Sequence, residues 1–249
     1  MTLILNTWIF EQDVKSGVLQ QDLVDRVSDL GADGIEIRRE YFKDLETEIK
    51  EVGKRAQERG LIVNYSVPDV VFLENGTLNP DLPKYFAEGE AMGISKIKFN
   101  TGYFDNFNGD LVTELKQLPI DQIEMNVEND QTSVSGTIDA ISNFLGEAYK
   151  LGLTQVGYVY DLGNWAFTHG DAFDAAKKLS RYTHYIHLKN TIETNGELQT
   201  SADLNEGLFN WVDLVNRLPK NVQYALEYPM KSDEQIVEQI RMFKAKVGA

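Results

Sequence analysis

The chain has no cysteine, only three histidines and six prolines in 249 residues, and 24 basic side chains against 39 acidic ones. Each shortage removes a class of function. Without thiols there is no disulfide framework, no thiolate zinc site and no cysteine nucleophile. The net charge of −15, with its basic residues dispersed, offers no basic face for nucleic-acid phosphates and no polybasic segment for a membrane surface. No stretch approaches the roughly 18 apolar residues of a membrane helix. The first residues, MTLILNTWIFEQD, lack the basic segment and long apolar run of a secretory signal. The expectations are a cytoplasmic location, no nucleic-acid partner and no membrane partner; the missing cysteine is compatible with a reducing compartment. The acidity has a plain reading, solubility, and a sharper one, in which some carboxylates face inward to hold a cation.

What is present is an alternation. Short apolar or β-branched runs predict strands at 3–8, 34–40, 61–68, 96–102, 123–129, 156–164, 184–190 and 222–229. Helical spacing predicts helices between them, near 19–31, 44–60, 81–93, 109–117, 132–152, 171–181, 207–217 and 232–246. Gly31, Gly60, Gly93 and Gly152 close four of these shortly before the next strand. Strands alternating with helices pair in parallel through right-handed crossovers. Eight such units over 1–249 predict an α/β fold, a single-domain (β/α)8 TIM barrel. An open doubly wound sheet is the alternative, but no Gly-rich phosphate fingerprint follows the first strand.

Alternation within the strands separates their two faces. Ile35 and Ile37 oppose Glu36 and Arg38; Val63 and Tyr65 oppose Asn64; Ile97 and Phe99 oppose Lys96, Lys98 and Asn100. Met125 and Val127 oppose Glu124 and Glu128; Tyr158 and Tyr160 oppose Asp161; Ile186 and Leu188 oppose His187 and Lys189; Leu226 and Tyr228 oppose Glu227. Helices must cover the apolar faces, so the polar faces line the barrel. A buried charge without a partner costs several kcal/mol. These residues must therefore pair with one another, bind a metal, or meet substrate at the mouth. Deeper charges suit internal ion pairs, such as Lys98 with Glu36 or Glu124. Glu128, Asp161, His187 and Glu227 lie late in their strands, at the end where barrels of this kind carry their sites. Three carboxylates and an imidazole there are an oxygen- and nitrogen-rich set suited to a divalent cation. His184 shares a face with Ile186, and a helix-facing or bottom-rim position held by a hydrogen bond is expected for it.

Four segments, VEN (127–129), YDLGN (160–164), YIHLKN (185–190) and LEYP (226–229), resemble in order and strand position the xylose-isomerase-like sugar isomerase/epimerase superfamily. The resemblance implies one divalent metal ion held by Glu128, Asp161, His187 and Glu227, Mn2+ in first place and Mg2+, Co2+ or Zn2+ as alternatives. It also implies that Glu128 and Glu227 move protons on opposite faces of the substrate, next to a carbonyl, through a metal-stabilised enediolate. Two positions depart from the ketose epimerases: Asn164 stands where they have a histidine, and Lys189 follows the metal histidine two residues on. HLKN is closer to the HxKD form of isomerase and dehydratase relatives, with Asn190 for the Asp. Lys189 is accordingly a candidate for catalysis or for holding an acidic group, with Arg38 beside it. Trp8, Glu36, Asn64, Asn100 and Asn164 complete the candidate substrate contacts. The segment 191–206 is expected to be a mobile mouth loop.

The expected function is isomerisation or epimerisation of a small keto-sugar, sugar phosphate or sugar acid. The alternatives are a dehydratase acting on a cyclic polyol ketone or dehydroshikimate-like acid, and a non-catalytic sugar-binding barrel. The superfamily's abasic-site nucleases need more metal-binding histidines than this chain has. Self-association is left open.

Overall fold

The computed structural model describes residues 1–247. Its strands are β1 (Thr2–Asn6), β2 (Gly34–Arg38), β3 (Ile62–Phe72), β4 (Lys96–Gly102), β5 (Glu124–Glu128), β6 (Val156–Asp161), β7 (Thr183–Leu188), β8 (Thr191–Thr194), β9 (Glu197–Thr200) and β10 (Gln223–Leu226). β1 to β7 pair in chain order, and β10 closes the ring between β7 and β1. All eight barrel pairings are parallel. This is the (β/α)8 barrel that the alternation predicts. Among the described residues, no helix is long and apolar enough to cross a membrane.

The helices that cover the barrel begin and end where local chemistry dictates. The helix Leu45–Arg59 opens on Asp44, whose carboxylate accepts from the Thr47 amide, and closes on Gly60 in the left-handed region at φ +66°. The side chains it buries include Ile49, Val52 and Ala56, spaced three and four apart along one face. Asp171 caps the helix Ala172–Leu179 by accepting from the amides of Phe173 and Asp174. Three helices begin later than their spacing suggests: Asp110, Thr137 and Asn210 act as N-caps, so helix begins only at Leu111, Ile138 and Trp211.

Two apolar layers result. Outward strand residues such as Ile35, Val63, Phe99, Val127, Tyr160, Leu188 and Leu226 pack under the helices in the main core. Each such side chain contributes about 1.5–3 kcal/mol by leaving water. Inside the barrel a small separate plug of Ile4, Val159, Tyr185 and Ala225 fills the middle. Polar residues occupy the inward positions above and below this plug.

The segment 191–206 is not simply a loop. β8 and β9 pair antiparallel across Asn195-Gly196, at φ +55° and +83°. Positive φ at both central residues is the type I′ requirement, and Asn-Gly is its usual sequence. Asn190 pins the segment's far side: its amide donates to the carbonyls of Leu204 and Phe209.

Candidate metal centre

Four strand ends deliver the cluster. Glu128 ends β5, Asp161 ends β6, His187 is next to last in β7, and Glu227 directly follows β10. Asp161 lies directly across from His187 in the sheet register. One ligand-capable atom from each of Glu128, Asp161, His187 and Glu227 lies within 4.8 Å of all the others. At 0–5% exposure these side chains have almost no bulk water to hydrate their charges. His187 Nδ1 is 2.7 Å from Glu128 Oε1 and 3.0 Å from Glu227 Oε2. Its other nitrogen, Nε2, is 3.0 Å from Glu36 Oε2. The ring stands edge-on to Tyr185, the largest side chain of the apolar plug, at 4.7 Å between centroids.

The geometry fits a small divalent cation. Carboxylate oxygens and an imidazole nitrogen are the donors that manganese and zinc accept. Glu128 Oε1 and Asp161 Oδ2 are buried without an aligned hydrogen-bond donor, although cationic nitrogens lie close by. Buried oxygens in that condition are costly unless something else neutralises them.

Cations surround the carboxylates. Lys98 Nζ is 2.7 Å from Glu128, and Arg38 Nη1 is 2.8 Å from Glu227. Lys189 Nζ is 2.7 Å from Asp161 and 3.3 Å from Glu227. Burial disfavours the charged form of every one of these groups, and the pairing decides which way each moves. For Glu128, burial is outweighed by Lys98 and His187, which hold its carboxyl down at about 2. Burial is likewise overcome at Glu227, where Lys189, His187 and Arg38 hold the carboxyl well below the ordinary range. At Asp161 burial wins over Lys189, and the carboxyl is raised. Burial would lower His187, but Glu36, Glu227 and Glu128 together raise it well above an ordinary imidazole.

The other candidate residues differ in where they lie. Lys189 and Arg38 belong to the cluster, and Trp8 lies against both, its ring 5.3 Å from Lys189 Nζ and 5.6 Å from the Arg38 guanidinium. Gln20 clamps the Arg38 backbone through both its amide atoms. Asn100 is half-buried at the mouth, in register with Glu128. Glu36 is fully buried against His187 Nε2. Asn164 and Asn64, expected as substrate contacts, are both engaged by protein partners. The Asn164 amide is spent on the Asn129 carbonyl and Gln131, while its backbone N–H holds Asp161 Oδ1. Asn64 lies a layer lower, bonded to Gln223 and Ser95. The expected partners of Lys98, Glu36 or Glu124, are also replaced: Lys98 pairs with Glu128, and Lys96 takes Glu124.

Two supporting residues were not foreseen. Asn6 donates from one amide nitrogen to Glu36 at 2.5 Å and to Glu227 at 3.2 Å. Asn129 binds both the N–H and the carbonyl of Asp161 and so fixes the end of β6. Asn6 was legible as a polar residue at a strand end. Asn129 stands next to Glu128 but has the opposite parity, which gave no reason to turn it toward the site.

Solved (β/α)8 barrels match almost the whole chain, at low sequence identity. A D-psicose 3-epimerase solved in the presence of D-fructose is 12% identical with a TM-score of 0.72, covering 100% of both chains. The probable 3-DHS dehydratase AsbF, involved in petrobactin synthesis in Bacillus anthracis, is 14% identical with a TM-score of 0.71, covering 98% of both chains. The IolI protein, solved with a zinc atom, is 11% identical with a TM-score of 0.69, covering 100% of this chain and 98% of its own. No protein-family model matches the chain, and no curated protein matches it by sequence.

Proposed function

We propose that this protein is a divalent-metal-dependent isomerase or epimerase of a small keto-sugar, sugar phosphate or sugar acid. The observation that carries this reading is the convergence of Glu128, Asp161, His187 and Glu227 at the C-terminal mouth of the barrel. These four residues would hold the ion, with Mn2+ the first choice and Mg2+, Co2+ or Zn2+ the alternatives. A bound divalent ion would supply the Lewis acidity that polarises a substrate carbonyl and stabilises the negative charge developing there.

The chain's own residues supply the rest. Glu128 and Glu227 reach the centre from strands separated by β6 and β7, so they address a bound substrate from different sides. Both are held ionised, the form a general base needs. One would remove a proton from the carbon next to the carbonyl and, now a carboxylic acid, could return it; return on the other side requires the second carboxylate first to take a proton from solvent or a substrate hydroxyl. Lys189 and Arg38 stand where they can hold an acidic group, and Trp8 offers a flat wall for the apolar face of a sugar. Asn100 is the remaining candidate contact at the mouth.

The test is a screen of keto-sugars and sugar acids with Mn2+, Mg2+ and Co2+, using Glu128→Gln as the blank. Turnover in the wild type, with a loss on the order of 10²- to 10⁴-fold in the variant, supports the reading. Equal turnover in both overturns it.

A second reading is a dehydratase on the same centre. It is favoured by the likeness to the probable 3-DHS dehydratase and by the pair of cations formed by half-buried Arg38 and buried Lys189, which suit an acidic substrate. Mass spectrometry separates the two: isomerisation preserves mass, whereas dehydration loses water. If Mn2+ neither binds nor raises the melting temperature, a non-catalytic sugar-binding barrel is the better description.

A further inference from the structure

Resting on the reading above that Arg38 meets an acidic group, we infer that Glu40 is a specificity-determining residue. Its carboxylate fills, as an internal stand-in, the place on Arg38 that the carboxylate or phosphate of an acidic substrate takes. Arg38 ends β2, and its guanidinium touches two carboxylates. Nη1 donates to Glu227 Oε1 at 2.8 Å, and Nε donates to Glu40 Oε1 at 2.7 Å. The two contacts are unequal. Glu227 is buried and is also held by Asn6, His187 and Lys189. The Glu40 side chain is 32% exposed, on the single turn Arg39–Tyr41, and Arg38 is its one side-chain partner among the described residues.

The cation, unlike Glu40, is fixed. The chain leaves β1 after Asn6 for the 3-10 turn Thr7–Phe10, and the β1–β2 pairing ends at Glu36. The Arg38 backbone therefore has no β1 partner. Gln20, fully buried, takes the missing strand's place: its side-chain amide donates to the Arg38 carbonyl at 2.9 Å and accepts from the Arg38 N–H at 3.0 Å. The rings of Trp8 and Tyr41 flank the guanidinium, each 5.6 Å from its carbon.

The fork of Arg38 is half used. An oxyanion that pairs fully with a guanidinium edge takes two parallel N–H bonds, through Nε and Nη2. Glu40 places one oxygen on Nε, and Nη2 has no acceptor among the described residues. A part-exposed pair held by one contact is weak. A fixed cation, a half-used fork and a singly held carboxylate together make an exchangeable anion site. An incoming oxyanion forms two charge-assisted bonds where Glu40 forms one. A neutral sugar offers no such exchange and leaves Glu40 in place. Glu40 thus sets the threshold that an acidic group has to exceed.

The test uses the full-length protein without added metal. Glycolate and inorganic phosphate are the probes for the two oxyanions, and ethylene glycol is the neutral control. Binding is read in NMR titrations from the indole N–H signal of Trp8, the ring beside Arg38. Glu40→Gln should bind at least one of the anions about tenfold more tightly than the wild type, because a like charge has left the fork. Which anion gains tells a carboxylate site from a phosphate site. Adding Arg38→Lys to Glu40→Gln keeps the charge, loses the fork and should cancel the gain. Asp174→Asn, which frees the exposed Lys178 of its carboxylate, should not reproduce it. The inference is overturned by equal anion binding, or none, in wild type and Glu40→Gln. It is also overturned by a gain that survives Arg38→Lys, that Asp174→Asn matches, or that ethylene glycol shares. Failure of the wild type to bind Mn2+ in a separate titration would overturn the proposed function instead, and the anion titrations would still decide the role of Glu40.

Discussion

The two ends of this barrel are built from the same three residue types on the same three strands. At the bottom, β4 supplies Lys96, β5 supplies Glu124 and β7 supplies His184. At the mouth they supply Lys98, Glu128 and His187. The bottom set is locally balanced. Lys96 Nζ lies 2.5 Å from Glu124, His184 Nδ1 lies 3.4 Å from the same carboxylate, and His184 Nε2 meets the Tyr149 hydroxyl at 2.9 Å. The bottom opens to a polar cavity of about 550 Å³ bordered by Lys96, Glu124 and His184, so solvent shares the charge. The mouth set is closed over, and Glu36, Asp161 and Glu227 join it. Lys189 and Arg38 join it as well, so the convergence of four buried ligand groups, rather than the presence of Lys, Glu and His, separates an end that could hold a cation from one that stabilises the barrel.

The largest effect should come from the matched pair Glu128→Gln and Glu124→Gln. The first should lower turnover on the order of 10²- to 10⁴-fold, and the second should leave turnover near wild type. Loss of turnover in both would erase the distinction between the ends. Acid denaturation provides the next test. Glu124 is held at about 2: burial opposes its charge, but the His184 and Lys96 contacts outweigh it. Its folded value lies below the ordinary carboxylate value, so its contribution is complete above roughly pH 4.5 and is lost as pH falls through 2. That contribution is roughly 3 kcal/mol. Denaturant titrations should show a shallower acid loss in Glu124→Gln than in the wild type; parallel curves would assign the acid sensitivity elsewhere.

Added Mn2+ gives a smaller, linked effect. At a hundredfold excess over the dissociation constant it should stabilise the wild type by about 2.7 kcal/mol. Calorimetric melting should show the shift surviving in Glu124→Gln and disappearing in Asp161→Asn and Glu227→Gln. A shift retained in all three variants would place the ion away from the mouth. The smallest effect is expected from Tyr149→Phe, which removes one part-buried hydrogen bond at the bottom and should cost about 1 kcal/mol of stability, read from denaturant midpoints, with turnover unchanged.

Much of this architecture was legible in the residues. The eight barrel strands fall where the alternation predicts them, because a strand covered by helices must be apolar on one face. The convergence of Glu128, Asp161, His187 and Glu227 followed from inward parity and strand-end position. A helix-facing or bottom-rim position held by a hydrogen bond is expected for His184, and its bond to Tyr149 fits that, but the reason for its placement comes only from the structure. The register slips between Tyr158 and Val159, where two β7 residues fit against one β6 step, and His184 sits over Gly157 in space that a Cβ would occupy. The Asn195-Gly196 turn was a hairpin signal in plain view, masked by the polarity of its surroundings.

By itself, then, the sequence determined the alternation, the inward faces and the set of groups able to meet at the mouth, because side-chain parity is local and survives any packing. Only the tertiary structure decided who pairs with whom: Lys98 with Glu128, Arg38 with Glu227, Lys189 with Asp161, and Asn6 with Glu36. Those pairings depend on strand stagger and on distances between residues up to some two hundred positions apart, as Asn6 and Glu227 are. No local pattern carries that information. It exists only once the barrel has closed.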